Sequence, residues 1–188
     1  MSAIRPKAPM PENIQRQVDH LGLTLVRRWW GVNYIVLAAF AVLWNGFMAV
    51  WFTIAVTEME WIMIVGGSIH LAVGLGLIYA AIAGFFNKTY INVNRQHLTI
   101  GHAPIPWTGN KMIESGRIRQ LYCVEKQHRR RNGDRWYSYD LRAVMDDGVY
   151  TTVLKGMQGL ETARYLEQEI ESHLGLKHID VEGEFKRV

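Results

Sequence analysis

The sequence predicts a membrane α-helical hairpin joined to an α+β module, an antiparallel bent sheet capped by a C-terminal amphipathic helix. Three observations carry that expectation. Between Trp29 and Phe86 the only formal charges are Glu58 and Glu60. From residue 87 the apolar pattern switches to period two. Near the C-terminus it switches again, to a repeat of three to four residues. The mean hydropathy of −0.04 averages over these regions and hides the division.

Residues 1–28 form an N-terminal cytoplasmic segment. Its opening, MSAIRPKAPMPENIQRQVDH, is polar and has no apolar run of signal-peptide length. In HLGLTLVRR, Leu21, Leu23 and Leu25 alternate with smaller or polar neighbours, as in a half-buried strand. The segment is therefore expected to end in an edge strand of the later sheet. The competing reading is an interfacial helix from Pro11 through Ile14, Val18 and Leu21.

Residues 29–86 form the two-helix hairpin. WWGVNYIVLAAFAVLWNGFMAVWFTIAV (29–56) and WIMIVGGSIHLAVGLGLIYAAIAGFF (61–86) each exceed the roughly 20 apolar residues that cross a bilayer. TEME between them leaves room only for a tight connection. Trp29, Trp30, Trp51 and Trp61 lie near the span ends, where amphipathic rings favour the headgroup region. Arg27, Arg28 and Lys88 flank the hairpin on its open side, and the connection has no Lys or Arg. The positive-inside rule then puts both termini in the cytoplasm of a multi-pass protein of an inner (plasma) membrane.

Gly66, Gly67, Gly74 and Gly76 make one side of the second span smooth enough for close helix packing, against the first span or a second copy. Asn45 and His70 are polar at similar depth and each needs a partner in hydrocarbon. They are read as an intramembrane polar pair. A redox or proton-handling role for His70 is the alternative from a different class.

Residues 87–175 form the cytoplasmic module. KTYINVN puts Ile91 and Val93 on one face and Tyr90, Asn92 and Asn94 on the other, and HLTIGH follows after a tight turn. RIRQLYCVEKQH and RWYSYDLRAVM are long strands flanking RRRNG, whose Asn132-Gly133 pair is a hairpin signal, and in the second strand Tyr137, Tyr139, Leu141, Ala143 and Met145 share one face. Asp146-Asp147-Gly148 turns into VYTTVLK, another strand. In GLETARYLEQEIESHLGL, Leu160, Ala163, Leu166, Ile170 and Leu174 mark an amphipathic helix with an acidic outer face, and Gly175 is its expected stop. Residues 176–188 are a polar tail.

The order of two spans, NKTYINVNRQHLTI, PIPWTGN, IRQLYC, a strand ending in DDG and a closing helix resembles bacterial membrane proteins with a pleckstrin-homology-like (PH-like) cytoplasmic domain. The resemblance covers about residues 25–175. It implies a binding or scaffolding module without catalytic residues. Some such proteins begin with a zinc ribbon; Cys123 is the only cysteine here, so that site is missing, as is any internal disulfide.

GHAPIPWTGNK stands apart. Pro104 and Pro106 each fix φ and remove a backbone donor, so the stretch cannot sit inside a sheet. Trp107 is expected either to plug the module or to face a partner. His97, His102 and His128 have no carboxylates at metal-ligand spacing, and no cofactor is expected. The sequence has no nucleophile elbow, P-loop, HExxH or paired-cysteine motif.

The charge is uneven. Residues 87–158 hold 12 Lys plus Arg against 6 Asp plus Glu, and residues 159–188 hold 4 against 7. Arg129, Arg130, Arg131 and Arg135 surround one hairpin tip. Three readings compete: a solvated tip that deters edge aggregation, a contact for anionic lipid headgroups or an acidic protein partner, and a nucleic-acid contact. The last is disfavoured, because no recognition helix accompanies the tip. Beyond the lipid bilayer, a protein partner in the membrane or cytoplasm is expected, and the chain could equally serve as a small accessory subunit of a larger membrane complex.

Overall fold

The computed structural model describes residues 7–129 and 133–177. Arg130, Arg131, Asn132 of the expected Asn-Gly turn and the polar tail from residue 178 lie outside them. The described elements run β1 (Ile14–Asp19), β2 (Gly22–Arg28), α1 (Val32–Thr57), α2 (Trp61–Phe86), β3 (Lys88–Val93), β4 (His97–Ala103), β5 (Lys111–Glu114), β6 (Ile118–Arg129), β7 (Arg135–Met145), β8 (Tyr150–Met157) and α3 (Leu160–Leu174). They divide into two compact units.

Of the described residues, the first unit comprises 7–27, 89–101, 108–129 and 133–177. Its strands form a five-stranded sheet in the order β1-β2-β3-β4-β5 and a three-stranded antiparallel sheet, β6-β7-β8. Both sheets and α3 supply one core, with Leu25, Ile91, Leu98, Leu121, Leu141, Leu166 and Ile170 among its members. Alternation places the side chains as expected: Ile91 and Val93 of β3 are buried, as are Tyr139, Leu141, Ala143 and Met145 of β7. Ala163, Leu166 and Ile170 line the inner face of α3, which ends at Gly175 in the left-handed conformation (φ 67°).

Four expectations need correction. The Leu23–Leu25 segment is a strand but not an edge, because β2 lies between β1 and β3. Its reach is explained by Gly22: at φ 138° it brings the start of β2 so close to β3 that a Cβ there would lie 2.2 Å from the Val93 carbonyl oxygen. The true edge is β1, read above only as part of a competing helix. Second, the ends of GHAPIPWTGNK do enter the sheet: Gly101 to Ala103 finish β4 and Lys111 begins β5, so only the part around Pro104 and Pro106 stays out of it. Third, α1 begins at Val32, so Trp29 and Trp30 precede the helix.

Fourth, the acidic face of α3 is only partly solvated. Glu161 is exposed, but Glu167, Glu169 and Glu171 are buried. The N-terminal segment explains Glu169: Arg16 on β1 donates to its carboxylate at 2.6 Å, with Lys7 at 3.7 Å. The Ala8 amide also donates to the Gln168 side chain at 2.8 Å, and Gln120 donates to Glu171 at 3.2 Å. Residues 7–19 thus bind α3 through polar contacts while β1 pairs with β2, and an outward-looking helix face becomes an interior one.

The second unit comprises residues 28–88 and 102–107. The helices run from Val32 to Thr57 and from Trp61 to Phe86, and one loop from the later sequence belongs to the same unit. Both α1 and α2 are 26 residues long and apolar enough to cross a membrane. At 1.5 Å per residue each spans about 39 Å, more than a hydrocarbon core of roughly 30 Å. The hairpin closes by small-to-large packing. A Cβ on Gly67 would meet Trp51 at 2.9 Å, one on Gly74 would meet Asn45 at 2.6 Å, and one on Gly84 would meet the Tyr34 ring at 1.8 Å. Gly66 and Gly76 have nothing within 4 Å of such an atom, so the expected smooth side divides into a packed row and an open one.

Candidate functional site

The β6–β7 hairpin carries the strongest concentration of interaction chemistry. Its register pairs Arg129 with Arg135, His128 with Trp136 and Gln127 with Tyr137. Alternation turns to full exposure at this end: Gln127, Arg129 and residues 133–137 are all exposed, with Trp136 at 42% and Tyr137 at 44%. The strands therefore extend past the core and project two large aromatic rings among guanidinium groups. Gly133 adopts φ 92°, the positive value that an Asn-Gly turn requires.

The tip is ordered from within. The His128 ring stacks on Trp136 at 4.0 Å and 15°, and its Nε2 lies 2.7 Å from Ser138 Oγ. With its amide oxygen turned toward β7, Gln127 accepts from Arg135 at 3.1 and 3.2 Å. The base is tied by charge. Lys126 Nζ lies 2.5 Å from Asp140, which also accepts from the Gly156 amide at 2.9 Å. Burial works against the Asp140 carboxylate, but the bonds from Lys126 and Gly156 outweigh it and hold its pKa below the usual carboxylate range. Tyr139 Oη donates to Glu125 at 2.9 Å. A rigid stem thus presents a basic, aromatic tip. Arg129 and Arg135 sit on it as the sequence implied; Arg130 and Arg131 lie outside the described residues.

The sequence singled out the arginines, passed over Trp136 and grouped Tyr137 with the face of Tyr139, Leu141, Ala143 and Met145; those four are buried, whereas Tyr137 lies beyond the core and is exposed. The signal for Trp136 and Tyr137 was available: a strand that starts Arg-Trp-Tyr beside a turn puts aromatic rings where burial ends.

Asn45 and His70 are not hydrogen-bonded to each other. The Asn45 amide donates to Ala41 O at 2.7 Å and across the hairpin to Gly74 O at 3.1 Å. Trp44 Nε1 donates to the His70 carbonyl at 3.0 Å, and Trp51 Nε1 to Met63 O at 3.1 Å. Three α1 side chains therefore satisfy themselves on α2 backbone oxygens, which remain free to accept a second bond. The His70 ring is exposed and leans on Trp44 at 5.8 Å.

The proline loop is fastened to the helical unit by residues the sequence did not flag. Asn87, 1% exposed, donates to Ile105 O at 2.9 Å and accepts from the Ile105 amide at 2.8 Å, as a paired strand would. Tyr79 Oη donates to Pro106 O. Trp107 is half-buried, stacked on Tyr79 at 6.0 Å and edge-on to Trp29 at 5.3 Å, while Pro104 and Pro106 are exposed. Trp107 is therefore an anchor within this unit and not a plug of the sheet module. The Trp29 amide donates to Asn87 O at 3.2 Å, closing the base of the hairpin.

Among the described residues no group of three His, Cys, Asp or Glu side chains is placed to hold a metal ion. No protein-family model matches the chain, and no curated protein matches it significantly.

Proposed function

We propose that this chain is a membrane-anchored, non-enzymatic binding module of a bacterial-type inner membrane, with both termini cytoplasmic and a PH-like domain that engages anionic lipid headgroups through the β6–β7 tip. Support for the PH-like reading is the element order. Strands β2 to β5 and β6 to β8 make four plus three strands over one core, closed by a C-terminal helix, with the helical hairpin inserted after the first of them and β1 added outside.

The observation that carries the functional reading is the tip itself. Exposed Trp136 and Tyr137 beside Arg129 and Arg135 combine rings suited to the headgroup layer with cations attracted to it. Each basic residue near an anionic leaflet contributes about 1 kcal/mol, falling off within a Debye length. The two apolar helices supply the tether, so weak contacts suffice at the high effective concentration of an attached domain.

The test uses the full chain in nanodiscs with an environment-sensitive fluorophore at Tyr137→Cys, in a Cys123→Ser background. The fluorophore should shift to a less polar environment when phosphatidylglycerol is included, and high salt should reverse the shift. Replacing Arg129, Arg130 and Arg131 by Ser should remove it. An emission spectrum indifferent to lipid charge and to those substitutions would return the arginines to a solvated turn or a protein partner's site.

A further inference from the structure

A second surface of the sheet unit carries cationic chemistry that the tip does not use. Three turns and the end of α3 enclose a groove with two lobes. The first, of about 520 Å³, is lined by the β1–β2 turn (His20, Gly22), the β3–β4 turn (Arg95) and His173. The second shares Arg95 and His173 and adds Ser115 and Gly116.

The walls are built. Asp19 Oδ1 accepts from the Leu21 and Gly22 amides at 2.8 and 3.2 Å, fixing the first turn. Asn94 Oδ1 accepts from the Gln96 and His97 amides at 2.8 and 2.7 Å, fixing the second. The Ser115 amide donates to Gln96 O at 2.9 Å, which joins the lobes. A turn stabilised in this way holds its side chains before a ligand arrives, so less ordering entropy is lost on binding.

The chemistry of the lining is lopsided. His20, Arg95 and His173 are exposed, and Asp19 is the one carboxylate among the lining residues, with Oδ1 already committed to two backbone donors. Arg95 has no ion-pair partner among the described residues. The terminal carbonyls of α3, which would favour a cation, are partly capped: the Leu176 amide donates to Glu171 O at 3.0 Å. Ser115 is 5% exposed, and its buried hydroxyl has no hydrogen-bond partner among the described residues. A desolvated hydroxyl without a partner is unfavourable, and turning the Ser115 side chain toward an oxygen bound in the second lobe would relieve it.

We propose that this groove binds a phosphate monoester, with the Arg95 guanidinium forked on the phosphate oxygens and His20, His173 and Ser115 completing the contact. Guanidinium is the side chain suited to two-point recognition of phosphate, and imidazole N–H and hydroxyl groups can donate to the oxygens that remain. The monoester can come from a soluble metabolite or from the headgroup of phosphatidic acid. The site is separate from the β6–β7 tip and does not depend on the tip's role.

The test titrates the full chain, in neutral detergent, with glycerol 3-phosphate by calorimetry. In parallel, binding of phosphatidic acid is compared with phosphatidylglycerol in nanodiscs. Saturable binding of glycerol 3-phosphate supports a soluble source; binding confined to phosphatidic acid supports the lipid. In either arm Arg95→Gln should weaken binding about tenfold or more, and Ser115→Ala should weaken it without lowering the melting temperature. The tip triple substitution should leave glycerol 3-phosphate binding unchanged. Arg95 and His173 are exposed, so Arg95→Gln and His173→Gln should fold normally. The proposal is overturned if neither probe binds, if sulfate competes equally well, or if binding ignores both Arg95→Gln and His173→Gln.

Discussion

Replacing Leu25 by Ala should open the sheet unit at a distance from the substitution. Leu25 on β2 is 0% exposed and belongs to the same core as Cys123 on β6, which is 2% exposed. The substitution removes three carbon atoms, roughly 2.4 kcal/mol of transfer free energy at about 0.8 per methylene, plus a cavity term. Leu→Ala at such sites costs about 2–5 kcal/mol in all. Cys123 is the only thiol, so its labelling rate reports how often the core opens. When reclosing outpaces labelling, that rate follows the open population. It should rise by about 30-fold to a few thousandfold, since 1.4 kcal/mol is one decade. Leu21→Ala, at a 71% exposed position, should leave the rate nearly unchanged. If Leu25→Ala changes labelling less than twofold while Leu141→Ala accelerates it strongly, the N-terminal strands are not part of this core. The same reasoning predicts that a fragment of residues 87–188 will not fold as the intact unit does, because it lacks Ile14, Leu23 and Leu25.

Other substitutions test the remaining elements. Gly84→Ala should destabilise the helical hairpin by about 1–3 kcal/mol, since the new atom collides with Tyr34, whereas Gly76→Ala should be neutral; unfolding in mixed micelles compares them. The Asp140 pKa is lowered on folding, so its contribution is present above the ordinary carboxylate range and is lost as pH falls through the lowered value. Melting curves followed by near-ultraviolet dichroism should therefore show stability falling in strong acid, and Asp140→Asn should flatten that dependence. For topology, in a Cys123→Ser background, a cysteine at Glu58 should react with an impermeant reagent outside intact cells, and one at Glu161 should not. The reverse pattern inverts the orientation.

Much of this architecture was legible because it rests on period and charge. Two uncharged runs broken by TEME could hardly be anything but a helical hairpin, and the Asn132-Gly133 turn marked the long β-hairpin. The less legible parts depend on partners distant in sequence. Glu169 looks solvent-facing on a helical wheel until Arg16, 153 residues earlier, reaches it. Asn87 looks like a linker residue until it pairs with Ile105 on both sides. Pairing β2 with β3 across an inserted hairpin needs Gly22 against Val93, which no local pattern announces. Asn45 and His70 lie at similar levels along the hairpin, but level alone does not choose a partner, and the Ala41 and Gly74 carbonyls serve Asn45 instead. At the tip, the arginines were visible as a charge run. The accompanying Trp136 and Tyr137 were readable from a strand that starts Arg-Trp-Tyr beside a turn, but how far their exposure extends depends on where the core ends.

In the proposed function the β6–β7 tip meets the membrane surface. A photo-reactive amino acid at Trp136, activated in native membranes holding the full chain, tests it most directly. The expected product is an adduct with anionic phospholipid, lost when Arg129, Arg130 and Arg131 are replaced by Ser. Adducts with protein alone, or lipid adducts that survive that replacement unchanged, would contradict it.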